Sequence, residues 1–334
     1  MDEMEFKPLT ARQSYNRMGL ALLVMGALSV GMQFLLAFLL QALVKVYPSL
    51  TGMRWLSYLL SFIPLYAVGM PAAYHLMKPV VISRPDSEPM LPGDFIISLL
   101  MCLPLMYLGS IIGNLLSALF TGGQAQNPVS ELVDGLDPVS ALVLLVIGPL
   151  LEEFFFRRQI IDRCGRFGEK QVILFSALAF GLFHMNLYQF FYAFFLGLVL
   201  GYVYTRSRRL RYTVAIHMLV NLFGGVLPQL LLSGFSDQAL AQLEHFDGSP
   251  DQMALLWESL PSIIAYGIFA IVMLVLTIIG IVFLFTKAPK FRLNPAPAQI
   301  PDGQAARTIY GASFVILFII FCVVTTIVNL VTSM

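Results

Sequence analysis

Long apolar runs joined by short polar stretches fill most of the chain. About 20 mainly apolar residues suffice to cross a bilayer as a helix. Nine runs of roughly that length are found, at 19–44, 55–77, 95–120, 138–161, 171–187, 188–205, 212–233, 260–286 and 309–332. They are continuous rather than alternating, which excludes a transmembrane β-barrel. The expected fold is all-α, a polytopic transmembrane helix bundle of about eight core spans plus one. Four regions are expected: three N-terminal spans in 1–137, a helical core in 138–233, an acidic extracytoplasmic loop in 234–259, and two last spans in 260–334 with a Pro-rich cytoplasmic linker at 293–303. The first run is too long for a signal-peptide core and no cleavage site follows it, so it is expected to stay as an anchor.

Composition sharpens this picture. The 334 residues are 58% hydrophobic and only 12% charged, against about 25% charged in an ordinary soluble domain. Too few charges are present to cover a soluble surface, which argues against a cytosolic enzyme or a disordered chain. No Gly-rich phosphate loop and no basic, aromatic-interleaved surface occurs, so neither nucleotide nor nucleic acid is an expected partner. The lipid bilayer is. Cys102, Cys164 and Cys322 are far apart in sequence and form no metal or disulfide framework.

Charge placement gives orientation. With the N-terminus cytoplasmic, eighteen of the twenty Lys and Arg residues fall in inside segments and only Lys45 and Arg54 outside. That asymmetry fits the positive-inside rule and puts the C-terminus extracytoplasmic. Short loops and the lack of a targeting extension suggest a prokaryotic plasma membrane.

Ionisable groups inside the spans are the functional candidates, because each is costly in hydrocarbon unless paired. They cluster between the fourth span and the seventh: Glu152, Glu153, Arg157, Arg158, His184 and His217, with Asn221 adding an amide. Glu153 and Arg157 are four apart and share a helix face, so they are expected to pair. Glu152 points about 100° away and faces no cation at i+4, where Phe156 stands. Such a carboxylate suits general acid or base work near neutral pH. His217 and Asn221 share a face and offer donors to an oxyanion or to neighbouring helices. Pro149 should free the carbonyl of Leu145 and kink the fourth span just before the carboxylates. Depths agree only in part. At 1.5 Å per residue Glu152 lies about 18 Å from Cys164, and His184 about 21 Å from Lys170. His217 lies only about 9 Å from Arg211 and Asn221 about 15 Å, so the seventh helix should tilt or the site should sit between these depths.

Glu152-Glu153…Arg157, then Phe180…His184, then His217…Asn221 resemble, in order, the three motifs of the CPBP family of intramembrane proteases. This is the CAAX protease and bacteriocin-processing (Abi) family, which includes the type II CAAX prenyl endopeptidase. The resemblance covers about 138–230. One departure is visible, Arg158, where the family often has glycine after the motif arginine. The resemblance implies an endopeptidase acting on a peptide or membrane-protein substrate. Glu152 would activate water, His184 would position it or bind substrate, and His217 and Asn221 would stabilise the oxyanion. Glu153, Arg157 and Phe180 would hold the geometry. No cofactor is required by this scheme. A zinc ion, if one were bound, would take Glu152, His184 and His217 as ligands. Two other readings compete: a proton-coupled transporter using Glu152 and the histidines as a relay, and a non-catalytic scaffold or immunity-type relative.

Overall fold

The computed structural model describes residues 8–50, 54–85, 87, 89–125, 127, 137–233 and 249–334. Most of the two acidic joints, including Glu131, Asp134, Asp237, Glu244 and Asp247, lies outside the described residues. Among the described residues the chain is helical throughout, with no strand. Its principal helices are α1 (Ala11–Val46), α2 (Arg54–Ile63, Pro64–Gly69 and Met70–Met77 in succession), α3 (Pro92–Thr121), α4 (Pro138–Phe167), α5 (Glu169–Phe183), α6 (Leu187–Ser207), α7 (Leu210–Leu232), α8 (Pro250–Thr286) and α9 (Ser313–Thr332). Each corresponds to one of the nine expected runs.

Seven of them are long and apolar enough to cross a membrane; α2 and α5 are the others. The shortfall in α5 has a local cause. The run expected at 171–187 stops at Phe183, and His184 caps the helix. Met185 then takes a left-handed conformation at φ 49°. Asn186 starts α6 by accepting from the Tyr188 amide. Fifteen residues extend about 22 Å at 1.5 Å each, short of a roughly 30 Å hydrocarbon core.

Small residues let the helices approach closely, as expected where lipid removes the usual hydrophobic drive. A Cβ on Gly19 of α1 would strike the backbone of Phe314 and Val315 in α9. Gly109 of α3 lies against the backbone of Phe191 and Tyr192 in α6, and Gly197 of α6 against Ala177 of α5. Gly280 joins α8 to α3 at Leu100. The later half of α4 is buried against its neighbours at Phe155, Phe156, Ile160 and Ile161, while its first half leaves Leu142, Val146 and Leu150 exposed.

Among the described residues, the basic segments around Arg84, Arg163–Arg166, Arg206–Arg208 and the 293–303 linker gather at one end. The Arg166 guanidinium donates to Leu9 O, and that of Arg163 to Met77 O. Asp162, fully buried, pairs with Arg84 and Arg208. Glu169 pairs with Arg206 and accepts from the Asn294 amide. The 293–303 linker runs beside them, its Ala298 and Ile300 amides bonding to Arg166 O and Phe167 O. This common end is the alternation that the charge pattern requires.

Candidate active site

A cavity of about 1050 Å³ is lined by α1 to α7 and by α9. Glu152, His184, His217 and Asn221 all line it. Five of the expected site residues are joined in one chain of contacts. Glu153 and Arg157, both fully buried, form the i,i+4 ion pair at 3.1 Å. The other oxygen of Glu153 faces His217 Nδ1 at 3.1 Å. His217 Nε2 in turn lies 3.8 Å from Glu152. Phe180 is packed under this chain, with the Arg157 guanidinium 4.7 Å above its ring centre and the His217 ring edge-on at 5.7 Å. Arg157 also donates to Ser176 of α5, whose hydroxyl donates to Phe156 O. A buried guanidinium is thereby held by an ion pair, a hydroxyl and a ring face, which offsets the cost of its desolvation.

The hydrogen-bond partners assign the imidazole nitrogens. His184 Nδ1 is 2.8 Å from Phe180 O, a pure acceptor, so Nδ1 carries the hydrogen. Nδ1 of His217 likewise donates to the Glu153 carboxylate. In both rings Nε2 is therefore the nitrogen left for other work.

Glu152 is not the isolated carboxylate that its own helix suggests. The Tyr66 hydroxyl donates to its Oε1 at 3.1 Å from α2, 86 positions away in sequence. No periodic or charge signal marks Tyr66 in the sequence, because a tyrosine in an apolar span is ordinary. Its only local mark is Pro64, which opens a π-turn over Pro64–Gly69.

Four π-turns surround the cavity: Pro64–Gly69, Val143–Ile147, Glu153–Gln159 and Leu222–Val226. Such turns favour functional sites because they widen the helix and re-aim side chains. One of them shifts the effect expected of Pro149. The Gly148 amide bonds to Val143 O, five residues back. In that register the missing N–H of Pro149 leaves the carbonyl of Leu144, not Leu145, without a helical partner. The Asn221 side chain fills the vacancy, its Nδ2 2.9 Å from Leu144 O.

The depth discrepancy also resolves. Asp162 and Arg208 are in contact, and Glu153 and His217 each lie nine residues, about 13.5 Å, beyond that contact. The two helices are in step when counted from Asp162 and Arg208 rather than from Cys164 and Arg211.

Among the described residues no three His, Cys, Asp or Glu side chains are placed to hold a metal ion. Glu152, His184 and His217 share a wall of the cavity without forming a ligand set.

Residues 135–223 match the family described as Type II CAAX prenyl endopeptidase Rce1-like. Over 144 residues the chain is 23% identical to "Putative membrane peptidase YdiL" of Bacillus subtilis (strain 168), a match covering 41% of this chain and 58% of that protein. The chain thus spans somewhat over half the length of this relative. No solved structure matches it.

Proposed function

We propose that this chain, whose residues 135–223 are similar to the type II CAAX prenyl endopeptidases, is an intramembrane endopeptidase using Glu152 as its base. One observation carries the reading. In a cavity wide enough for a peptide, Glu152 is held by Tyr66 on one oxygen and faces His217 Nε2 on the other.

The reaction needs only this chain's residues and water. Glu152 takes a proton from a water molecule whose second hydrogen is accepted by Nε2 of His184. The water oxygen adds to the peptide carbonyl carbon, and the carbonyl electron pair moves onto its oxygen. His217 Nε2 and the second amide hydrogen of Asn221 face that oxyanion, a preorganised arrangement commonly worth about 3–4 kcal/mol per donor. Donation from Nε2 requires a proton on both ring nitrogens, and Glu153, beside Nδ1, is the countercharge that remains once Glu152 has taken the proton from water. Collapse breaks the C–N bond, and the amine leaves with the proton that Glu152 took. One water becomes one new carboxyl and one new amine.

The substrate is a peptide or membrane-protein segment presented within the bilayer. The basic end of the bundle is assigned to the cytoplasm of a prokaryotic cell, with the C-terminus outside. Membrane peptidomics tests this reading. Cells with the native chain are compared with cells carrying Glu152→Gln at equal, verified abundance. Peptides that vanish in the variant are the expected result and identify the substrate. A cellular phenotype that survives the substitution, with an unchanged peptide profile, would instead favour a scaffold.

A further inference from the structure

At the basic end of the bundle, away from the cavity, lies a second pocket of about 380 Å³. Arg84, Arg158, Arg208, Arg209 and Arg211 line it, together with Tyr204 and Leu210. Its size falls in the lower part of the range of small-ligand sites, about 300–1,000 Å³. We propose that it is a binding site for a phosphate-bearing anion, the headgroup of an anionic phospholipid.

Charge balance is the first argument. Among the described residues one carboxylate, Asp162, serves these five guanidiniums. It is fully buried and already takes Arg84, Arg208 and the Tyr204 hydroxyl. Arg158 and Arg209 have no carboxylate partner among the described residues. Five like charges lining one small pocket repel one another unless an anion joins them.

Buried donors supply the second argument. The Arg208 side chain is only 6% exposed, yet its Nε has no hydrogen-bond partner among the described residues. Leaving a buried charged donor unsatisfied is costly, and planar guanidinium forks match phosphate oxygens two at a time. The third argument is the backbone. The pocket sits at the start of α7, where Arg209 provides no side-chain cap. The unpaired amides of a helix N-terminus favour an anion.

Position selects the source. The pocket lies among the basic ends of α4, α6 and α7, and basic pockets between the ends of spanning helices receive anionic lipids. Arg158 is also the residue that departs from the family pattern. The proposal is independent of the peptidase reading, because no residue of the cavity takes part.

Lipid titration followed by native mass spectrometry tests it on the full chain in detergent. Phosphatidylglycerol is expected to bind at least tenfold more tightly than phosphatidylcholine. Arg158→Gln with Arg211→Gln should remove that preference, whereas Lys287→Gln with Lys290→Gln, an equal loss of charge at the same end, should change it less than twofold. Arg158→Lys guards against a folding artefact and should retain most of the preference. Competition by millimolar inorganic phosphate would show that phosphate alone fills the site; binding unaffected by phosphate would show that the glycerol and acyl chains are needed. Equal affinity for the two lipids, equal loss in both double variants, or no binding of either phosphatidylglycerol or phosphate would overturn the proposal.

Discussion

Tyr66 donates to Glu152 from a helix that carries no other polar group of the site, its hydroxyl 3.1 Å from Oε1. The carboxylate that a single helix leaves unsupported is thereby fixed between α2 and α7. Tyr66→Phe removes one hydrogen bond and little volume. Stability should change by about 1 kcal/mol, the usual net value of such a bond. Turnover should fall on the order of tenfold, carried by kcat with KM nearly constant, as expected when ground-state binding is untouched. An unchanged kcat would remove Tyr66 from the reaction.

The adjacent glutamates should separate cleanly. Glu152 is one-fifth exposed, and Glu152→Gln keeps an oxygen that can accept from the Tyr66 hydroxyl. Glu152→Gln should fold normally and lose about 10²–10⁴ of its rate, the usual worth of a positioned base. Glu153 and Arg157 are fully buried partners. Arg157→Met should cost about 3–5 kcal/mol of stability by leaving Glu153 unpaired. Thermal unfolding beside a cleavage assay distinguishes the two outcomes.

Asn221 has a structural duty that a double substitution can isolate. Asn221→Ala strands the Leu144 carbonyl and should cost about 1–3 kcal/mol. Pro149→Ala returns an N–H in the five-residue register that Gly148 already follows. The pair Asn221→Ala/Pro149→Ala should therefore regain stability. Turnover should stay low, because no donor is returned to the oxyanion. Recovery of turnover would confine Asn221 to the structural duty.

Glycine substitutions should report packing with opposite signs. A Cβ at Gly109 meets the backbone of Phe191 and Tyr192, which cannot swing aside. Gly109→Ala should therefore destabilise the α3–α6 contact by about 1–3 kcal/mol, as overpacking does. Gly31 of α1 has nothing within 4 Å of its missing Cβ. Gly31→Ala should be neutral or stabilising by up to about 1 kcal/mol through helix propensity. Denaturation in detergent checks both.

Chelation bears on the mechanism directly. With base and donors supplied by side chains, 1,10-phenanthroline should leave cleavage unchanged. Loss of activity that added zinc restores would contradict the glutamate mechanism.

Much of this was legible in the sequence because membrane chemistry leaves strong marks. Apolar runs located nine helices, and Lys and Arg marked one common end. Charges placed within spans singled out Glu152, Glu153, Arg157 and His217, which do meet. Tyr66 was not legible, since a tyrosine costs too little in an apolar span to stand out. The end of α5 at Phe183 was hidden because Met185 and Leu187 continue the apolar run across the break. The freed carbonyl is Leu144 rather than the expected Leu145, because a proline predicts a lost hydrogen bond but not the register in which it is lost. The second pocket around Arg158 depends on where Arg84 and Arg208 fold back, which no local spacing encodes.

The π-turns around the cavity also affect how this chain tolerates change. Each behaves as a one-residue insertion absorbed within a helix, so side chains beyond it are turned by about 100° relative to an unbroken α-helix. Point substitutions within Val143–Ile147 would leave that phase intact. Deleting one residue there would restore an ordinary helix and leave Glu152 in register with Tyr66 and His217, because the turn already absorbs that residue, whereas losing two would swing Glu152 by about 100°. Sequence drift at this site should therefore tolerate the loss of a single residue at the turn and no more.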